Sequence, residues 1–167
     1  MKQEKIFIIG ISGSGKSALG KALSEKTGIP LFHVDSIIWS KNWVEAPLEE
    51  IRKELKKISA TAAWIVEGWV DDNSGEILKK STVILYLDYP GYLAAWGGVK
   101  RWWRYRGRKR PEMPEGCIER LNISFLKTIL FRGERPHIEH ILSKLAHPNI
   151  VRVKSRKQAC KALTELF

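Results

Sequence analysis

The chain has 167 residues, 44% of them hydrophobic and 28% charged, with a net charge of +11. That is enough for one domain with a real core, and it excludes a disordered or fibrous chain. No apolar run approaches the about 20 residues that a spanning helix needs, so no membrane segment is expected. Met1-Lys2-Gln3-Glu4-Lys5 leads straight into a strand pattern, and no signal peptide is expected. The two cysteines, Cys117 and Cys160, form no CxxC pair, which excludes a disulfide scaffold or a tetrathiolate zinc site and suits a reducing cytoplasm. The excess charge is local. Residues 100–110, KRWWRYRGRKR, hold seven basic side chains and no acid, and leaving them out lowers the net charge from +11 to +4.

In chain order, KIFIIGI at 5–11 is an apolar, β-branched run that predicts a strand buried on both faces. Residues 16–26 carry helical periodicity and stop at Gly28-Ile29-Pro30. Leu31–Val34 predicts a short strand ending at Asp35. PLEEIRKELKKIS at 47–59 predicts an amphipathic helix with acids in its first turn. Strands are expected at 62–66 and 81–87. Residues 91–110 read as helix weakened by Gly97-Gly98 and Gly107. Helices at about 117–131 and 136–146, a strand at 149–153 and a helix at 156–166 complete the pattern. Alternating strands and helices predict one three-layer α/β/α domain over 1–167. It would hold a parallel sheet of about five strands, with a lid inserted at about 101–120.

Gly10-Ile11-Ser12-Gly13-Ser14-Gly15-Lys16-Ser17 matches the full pattern G-x-x-x-x-G-K-[ST] between a predicted strand and a predicted helix. Gly10, Gly13 and Gly15 let the backbone wrap a phosphate chain, and the amides of Ser12 and Ser14 join the cradle. The helix N-terminus adds positive potential. Lys16 is placed for the β- and γ-phosphates, and the Ser17 hydroxyl for Mg²⁺. The motif therefore predicts binding of a nucleoside triphosphate.

Ligands of open parallel sheets bind beyond the carboxyl ends of the strands. Three acids are predicted there: Asp35, Glu67 and Asp88. Asp35 is the candidate for orienting an acceptor hydroxyl, with a helix N-cap as its plain alternative. Glu67 is the candidate for the Mg²⁺ shell, with Gly68 allowing close backbone approach. Asp88, before a Tyr-Pro turn, reads as structural, although spacing does not decide which of Glu67 and Asp88 is nearer the metal.

Arg101, Arg104 and Arg108 would share one face of a helix. Arginines on a closing lid gather charge around a transferring phosphoryl group and screen it from water. Basic residues interleaved with Trp102, Trp103 and Tyr105 also suit a single-stranded nucleic acid, or a solvated helix. Trp39, Trp43, Trp64 and Trp69 fall around two strand ends, as packing residues or as a sandwich for a planar acceptor. His137 and His140 lack further ligands for a metal site, His33 and His147 read as structural or exposed, and the cysteines read as small apolar fillers.

Together, Gly10–Ser17, His33-Val34-Asp35-Ser36-Ile37-Ile38-Trp39, Trp43, Trp64–Gly68, Leu85–Pro90 and Arg110-Pro111-Glu112-Met113-Pro114-Glu115-Gly116-Cys117-Ile118-Glu119 resemble the bacterial DNA topology modulation proteins. These are a branch of P-loop kinases related to adenylate kinase. The resemblance spans residue 5 to about 135. It implies an α/β/α fold with an arginine-rich lid and function at Lys16, Ser17, Asp35, Arg101, Arg104 and Arg110. Relatives often carry Asp-Gly-Asn-Tyr where this chain has Glu67-Gly68-Trp69-Val70. The sequence thus predicts a cytoplasmic, ATP- and Mg-dependent phosphotransferase. Its acceptor would be small, a nucleoside or nucleotide, with the balance toward a hydroxyl acceptor because Arg52 is the one arginine in the first 70 residues. The alternative is a nucleotide-gated DNA- or RNA-binding regulator acting through residues 100–110. Steep salt dependence would mark that alternative.

Overall fold

The computed structural model describes residues 4–145, 147 and 149–165. Met1–Gln3 and the expected helix ends at 146 and 166 lie outside the described residues. Five parallel strands form the central sheet: β1 (Lys5–Gly10), β2 (Leu31–His33), β5 (Trp64–Glu67), β6 (Val83–Leu87) and β7 (Ile150–Val153). Their spatial order is β2-β5-β1-β6-β7. The chain moves outward from β1 to β2, returns through β5, and then crosses to β6 on the other side of β1. β1 is thus the point where the winding reverses, and its carboxyl end opens into the crevice where such sheets bind ligands.

The apolar runs explain the sheet. Phe7 and Ile9 point into one core with Trp64, Val66, Ile84 and Tyr86, while Ile6 and Ile8 point into the other with Ile65, Leu85 and Leu87. Helices α1 (Lys16–Thr27) and α8 (Arg156–Glu165) cover the second face. The first is covered by α3 (Leu48–Ala60), α4 (Gly75–Lys80), α5 (Gly91–Tyr105), α6 (Ile123–Leu130) and α7 (Arg135–Leu145). The three-layer α/β/α arrangement with five parallel strands is as the alternating pattern predicts.

Several boundaries differ from expectation. The region 34–45 is a one-turn helix α2 (Val34–Ile38) followed by a small antiparallel hairpin of β3 (Trp39–Ser40) and β4 (Val44–Glu45). Strands this short have no periodicity to detect. α4 was also not expected. α5 ends at Tyr105 rather than continuing to 110, so Arg108 lies beyond the helix and does not share a face with Arg101 and Arg104. Residues 117–122 are likewise outside α6, which starts at Ile123 behind an Asn122 cap. The 106–119 stretch instead pairs with itself, Arg106 with Glu119 and Lys109 with Ile118.

Gly97 and Gly98 do not break α5, because their role is tertiary. A Cβ on Gly13 would fall on the Ala94 carbonyl, and one on Gly97 would fall on the Gly13 carbonyl. The loop after β1 and the middle of α5 therefore touch backbone to backbone. Gly13 is also left-handed, with φ 75°. Gly13→Ala should cost about 1–3 kcal/mol from forced separation of these backbones plus strained φ, read as a lower urea midpoint.

Candidate functional site

The loop Gly10–Gly15 joins β1 to α1 with Gly10, Gly13 and Gly15 all at positive φ (152°, 75° and 95°). Each serves a different need. Gly10 passes the Leu87 carbonyl, where a Cβ would sit 2.7 Å away. Gly13 meets α5, and Gly15 faces open space as the residue before α1. No side chain caps that helix, so its N-terminal dipole and amides are directed to the concave side of the loop. Ser14 is buried, and its Oγ has no hydrogen-bond partner among the described residues. These features are those of an anion cradle.

Two contacts show how the cradle balances its own charges. Lys16 Nζ donates to the carbonyls of Gly10 at 2.9 Å and Ile11 at 3.2 Å. Glu134, in the turn between α6 and α7, accepts from the Ser12 amide at 2.5 Å and from Ser12 Oγ at 2.8 Å. A carboxylate of the chain itself therefore lies on the loop. Beside it, Arg132 and Arg135 bond Asp88 at the end of β6, as does Arg152 at 3.2 Å. Asp88 is buried, and it anchors the α6–α7 turn and β7 to the sheet. Its position agrees with the structural reading.

Glu67 is the last residue of β5 and sits opposite His33 in the β2–β5 register. It lies under α1, where a Cβ on Gly20 would come 3.6 Å from its Cγ. Ser17 is one turn earlier on the same face of α1. Glu67 Oε1 is held by His33 Nδ1 at 2.6 Å. That hydrogen bond raises the His33 pKa above its ordinary 6.5 against the opposing effect of burial, and the charges of Glu67, Glu112 and Asp35 add to it. The imidazolium form is the one stabilised by folding. This pair therefore contributes fully below pH 6.5, and its contribution is lost as pH rises through the raised value. The gap in urea midpoint between wild type and His33→Gln should be widest at pH 6 and shrink toward pH 9. A gap that is constant with pH would contradict this. Gly68, expected to face a ligand, in fact faces Val34, whose Cβ would lie 2.6 Å from an added Cβ.

Asp35 sits in the first turn of α2 and makes no cap bond. Arg110 reaches it from the 106–119 segment at 3.4 Å. Arg110 is 6% exposed and lies between three carboxylates, with Glu112 at 3.4 Å and Glu119 at 3.2 Å as the others. Arg101 on α5 donates from Nε to Glu119 at 2.9 Å. Arg104 is exposed. Two of the three predicted lid arginines thus converge on buried Glu119, and Arg110 ties that acid to Asp35. Glu112, Glu119 and His33 carry no site role in the sequence reading, and Glu134 is not named in it. The first two lie in the Arg110–Glu119 block, two and nine residues after Arg110, and their place in that block is the available signal. Nothing local marks Glu134.

The same segment grips the hairpin. The Asn42 amide donates to the Glu115 carbonyl at 3.0 Å, Trp43 Nε1 to the Ile118 carbonyl at 3.2 Å, and the Trp43 amide to Cys117 Sγ at 3.4 Å. Asn42 and Trp43 both have φ 61°, a strained conformation for a tryptophan that these bonds offset. Cys117 is thus a bonded clasp as well as an apolar filler. The four tryptophans do not form one cluster. Trp64 is in the core against Phe7, Trp39 pairs with Trp43, and Trp69 stacks on His137 at 5.0 Å. His137 also bonds the Val70 carbonyl.

The sheet order, the phosphate-type loop after its central strand and the covering segment beyond the strand ends define the fold of the P-loop kinases. Solved structures agree across nearly the whole chain. A shikimate kinase from Bacteroides thetaiotaomicron superposes with TM-score 0.60 at 16% identity, covering 98% of this chain and 96% of its own. A sugar kinase from Janibacter sp. gives 0.58 at 16% identity, over 98% and 94%. A gluconokinase from Sinorhizobium meliloti gives 0.51 at 18% identity, over 99% and 94%. In sequence, mouse threonine synthase-like 1 is 31% identical over 102 residues, which is 52% of this chain and 14% of that protein. No family model matches the chain.

Proposed function

We propose that this protein is an ATP- and Mg-dependent phosphotransferase acting on a small acceptor through a hydroxyl, as in a nucleoside. The observation that carries the reading is the juxtaposition, across the carboxyl ends of β1, β5 and β2, of the Gly10–Ser17 cradle with the linked Asp35, Arg110 and Glu119. The names of the fold neighbours, shikimate kinase, sugar kinase and gluconokinase, point to small-molecule acceptors in the same crevice. The likeness to the DNA topology modulation proteins rests in part on His33, Asp35, Trp43, Arg110 and Glu119; of these, Asp35, Arg110 and Glu119 are joined by ion pairs, while His33 bonds Glu67 and Trp43 bonds Cys117.

In this reading the loop amides and Lys16 hold the triphosphate, with Lys16 leaving the Gly10 and Ile11 carbonyls to do so. Ser17 and Glu67 offer hard oxygen donors under α1, the donor type Mg²⁺ takes. When bound, the ion would neutralise charge on the transferring phosphoryl group. Asp35 orients and deprotonates the acceptor hydroxyl. Arg110 fixes the Asp35 carboxylate, and Arg101 fixes Glu119. Arg104 remains free to reach the phosphoryl group, and the 101–120 lid excludes water. Glu134 competes with the incoming phosphates for Ser12. Glu134→Gln should therefore tighten ATP binding roughly tenfold, measured by fluorescence titration, whereas weaker binding would assign Glu134 to holding the nucleotide.

The test of the function is ADP release with ATP and Mg²⁺ over a panel of nucleosides, nucleoside monophosphates and small hydroxyl compounds. One acceptor should raise turnover at least tenfold above the rate without acceptor. Turnover that no acceptor raises would leave an ATP hydrolase at most. A nucleic-acid surface at 100–110 is less well supported, since Arg101, Lys109 and Arg110 are already paired with Glu119, Glu115 and Asp35.

A further inference from the structure

We infer that the acceptor is a hydroxyl compound carrying no carboxylate or phosphate group, either uncharged or amine-bearing. This rests on the phosphotransferase reading and narrows its acceptor side. The cations that reach the ends of β2 and β5 are each held by an acid of the chain. Arg110 is enclosed by Asp35, Glu112 and Glu119. Arg101 is bonded to Glu119, and His33 to Glu67. Four carboxylates, Asp35, Glu67, Glu112 and Glu119, thus face two arginines and one histidine. Arg104, Arg106 and Arg108 are exposed, and their guanidinium groups make no hydrogen bond or ion pair to this cluster among the described residues. Arg106 lies over the Trp103 ring instead.

An anionic acceptor is recognised by an arginine with free donors, two of them in parallel for a carboxylate or phosphate. Here such a group would have to expel Asp35 or Glu112 from Arg110 and then remain beside the displaced acid, with repulsion between like charges. A hydroxyl or ammonium group meets the opposite situation. The Asp35 side chain is 38% exposed and that of Glu112 is 18%, so both present carboxylate lone pairs to the crevice. Each carboxylate accepts several hydrogen bonds, and the Arg110 contacts at 3.4 Å use only part of that capacity. The crevice is built to accept protons from its ligand, as a polyol, nucleoside or amino sugar supplies them.

The experiment compares matched acceptors under ATP and Mg²⁺. Ring polyols, amino sugars and nucleosides form one half of the panel. Their carboxylate and phosphate derivatives, such as glucuronate, glucose 6-phosphate and nucleoside monophosphates, form the other. ATP binding is measured in parallel by fluorescence titration. Turnover should be confined to the first half, with kcat/KM at least tenfold above that of any matched anion. In Glu112→Gln, which uncovers one side of Arg110, that preference should fall several-fold, with folding checked by thermal melting. An anionic member used as well as or better than its uncharged partner overturns the inference and leaves the phosphotransferase reading standing. Tight ATP binding with no acceptor from either half overturns both.

Discussion

Lys16→Ala should cut the turnover of the best acceptor by at least about a hundredfold while leaving the fold unchanged. The size follows from where the charge goes. Lys16 is the cation of the loop, and in the proposed reaction it would face the negative charge spread over the β- and γ-phosphates. No second lysine is near in sequence to replace it, the next being Lys21 on α1. Its ammonium group bonds the Gly10 and Ile11 carbonyls and packs into no core, so truncation removes charge without opening a cavity. Steady-state kinetics should show most of the loss in kcat, with an unchanged circular dichroism melt. An undiminished kcat would remove the loop from the chemistry.

Asp88→Ala should be strongly destabilising, by about 3 kcal/mol, at the low end of the range for breaking a buried ion pair. Asp88 is buried, while Arg132, Arg135 and Arg152 keep about a third of their side chains in solvent (30%, 36% and 36%), so they can recover part of their hydration. For a chain of this size, that corresponds to a fall in Tm of roughly 6–12 °C. A second effect separates this role from general damage. Arg132 and Arg135 flank Glu134, so freeing them loosens the carboxylate that lies on Ser12. Asp88→Asn, which keeps the shape, should retain more of the stability yet still alter ATP affinity. An Asp88→Ala protein as stable as the wild type would mean that the arginines hold the turn by other contacts.

The phosphate loop and the sheet were legible because each rests on a local rule. A strand buried on both faces must be apolar throughout, and a loop that wraps an anion must carry glycines at fixed spacing before a helix. Asp35 and Arg110 could each be singled out for the same reason, one at a strand end and one in a basic run. Their partners could not. Glu119 is nine residues from Arg110, and its role depends on the 106–119 segment folding back, which neither periodicity nor propensity encodes. The helix reading fails at 106–110 because pairing of Arg106 with Glu119 and Lys109 with Ile118 outcompetes continued helix beyond Tyr105, where Gly107 also lowers helix propensity. Gly97-Gly98 misled in the opposite direction. Their cost in helix propensity is real, but α5 accepts it because any larger residue at Gly97 would strike the phosphate loop.

The sequence by itself determined the layers, the strands, the cradle and its lysine, since all of these follow from composition over a few adjacent residues. The tertiary structure alone decided which charges meet. Arg110 with Asp35, Glu134 with Ser12, and Asp88 with Arg132, Arg135 and Arg152 are separated by 75, 122, and 44 to 64 residues. Electrostatic pairing acts through distance in space, which the chain order does not contain.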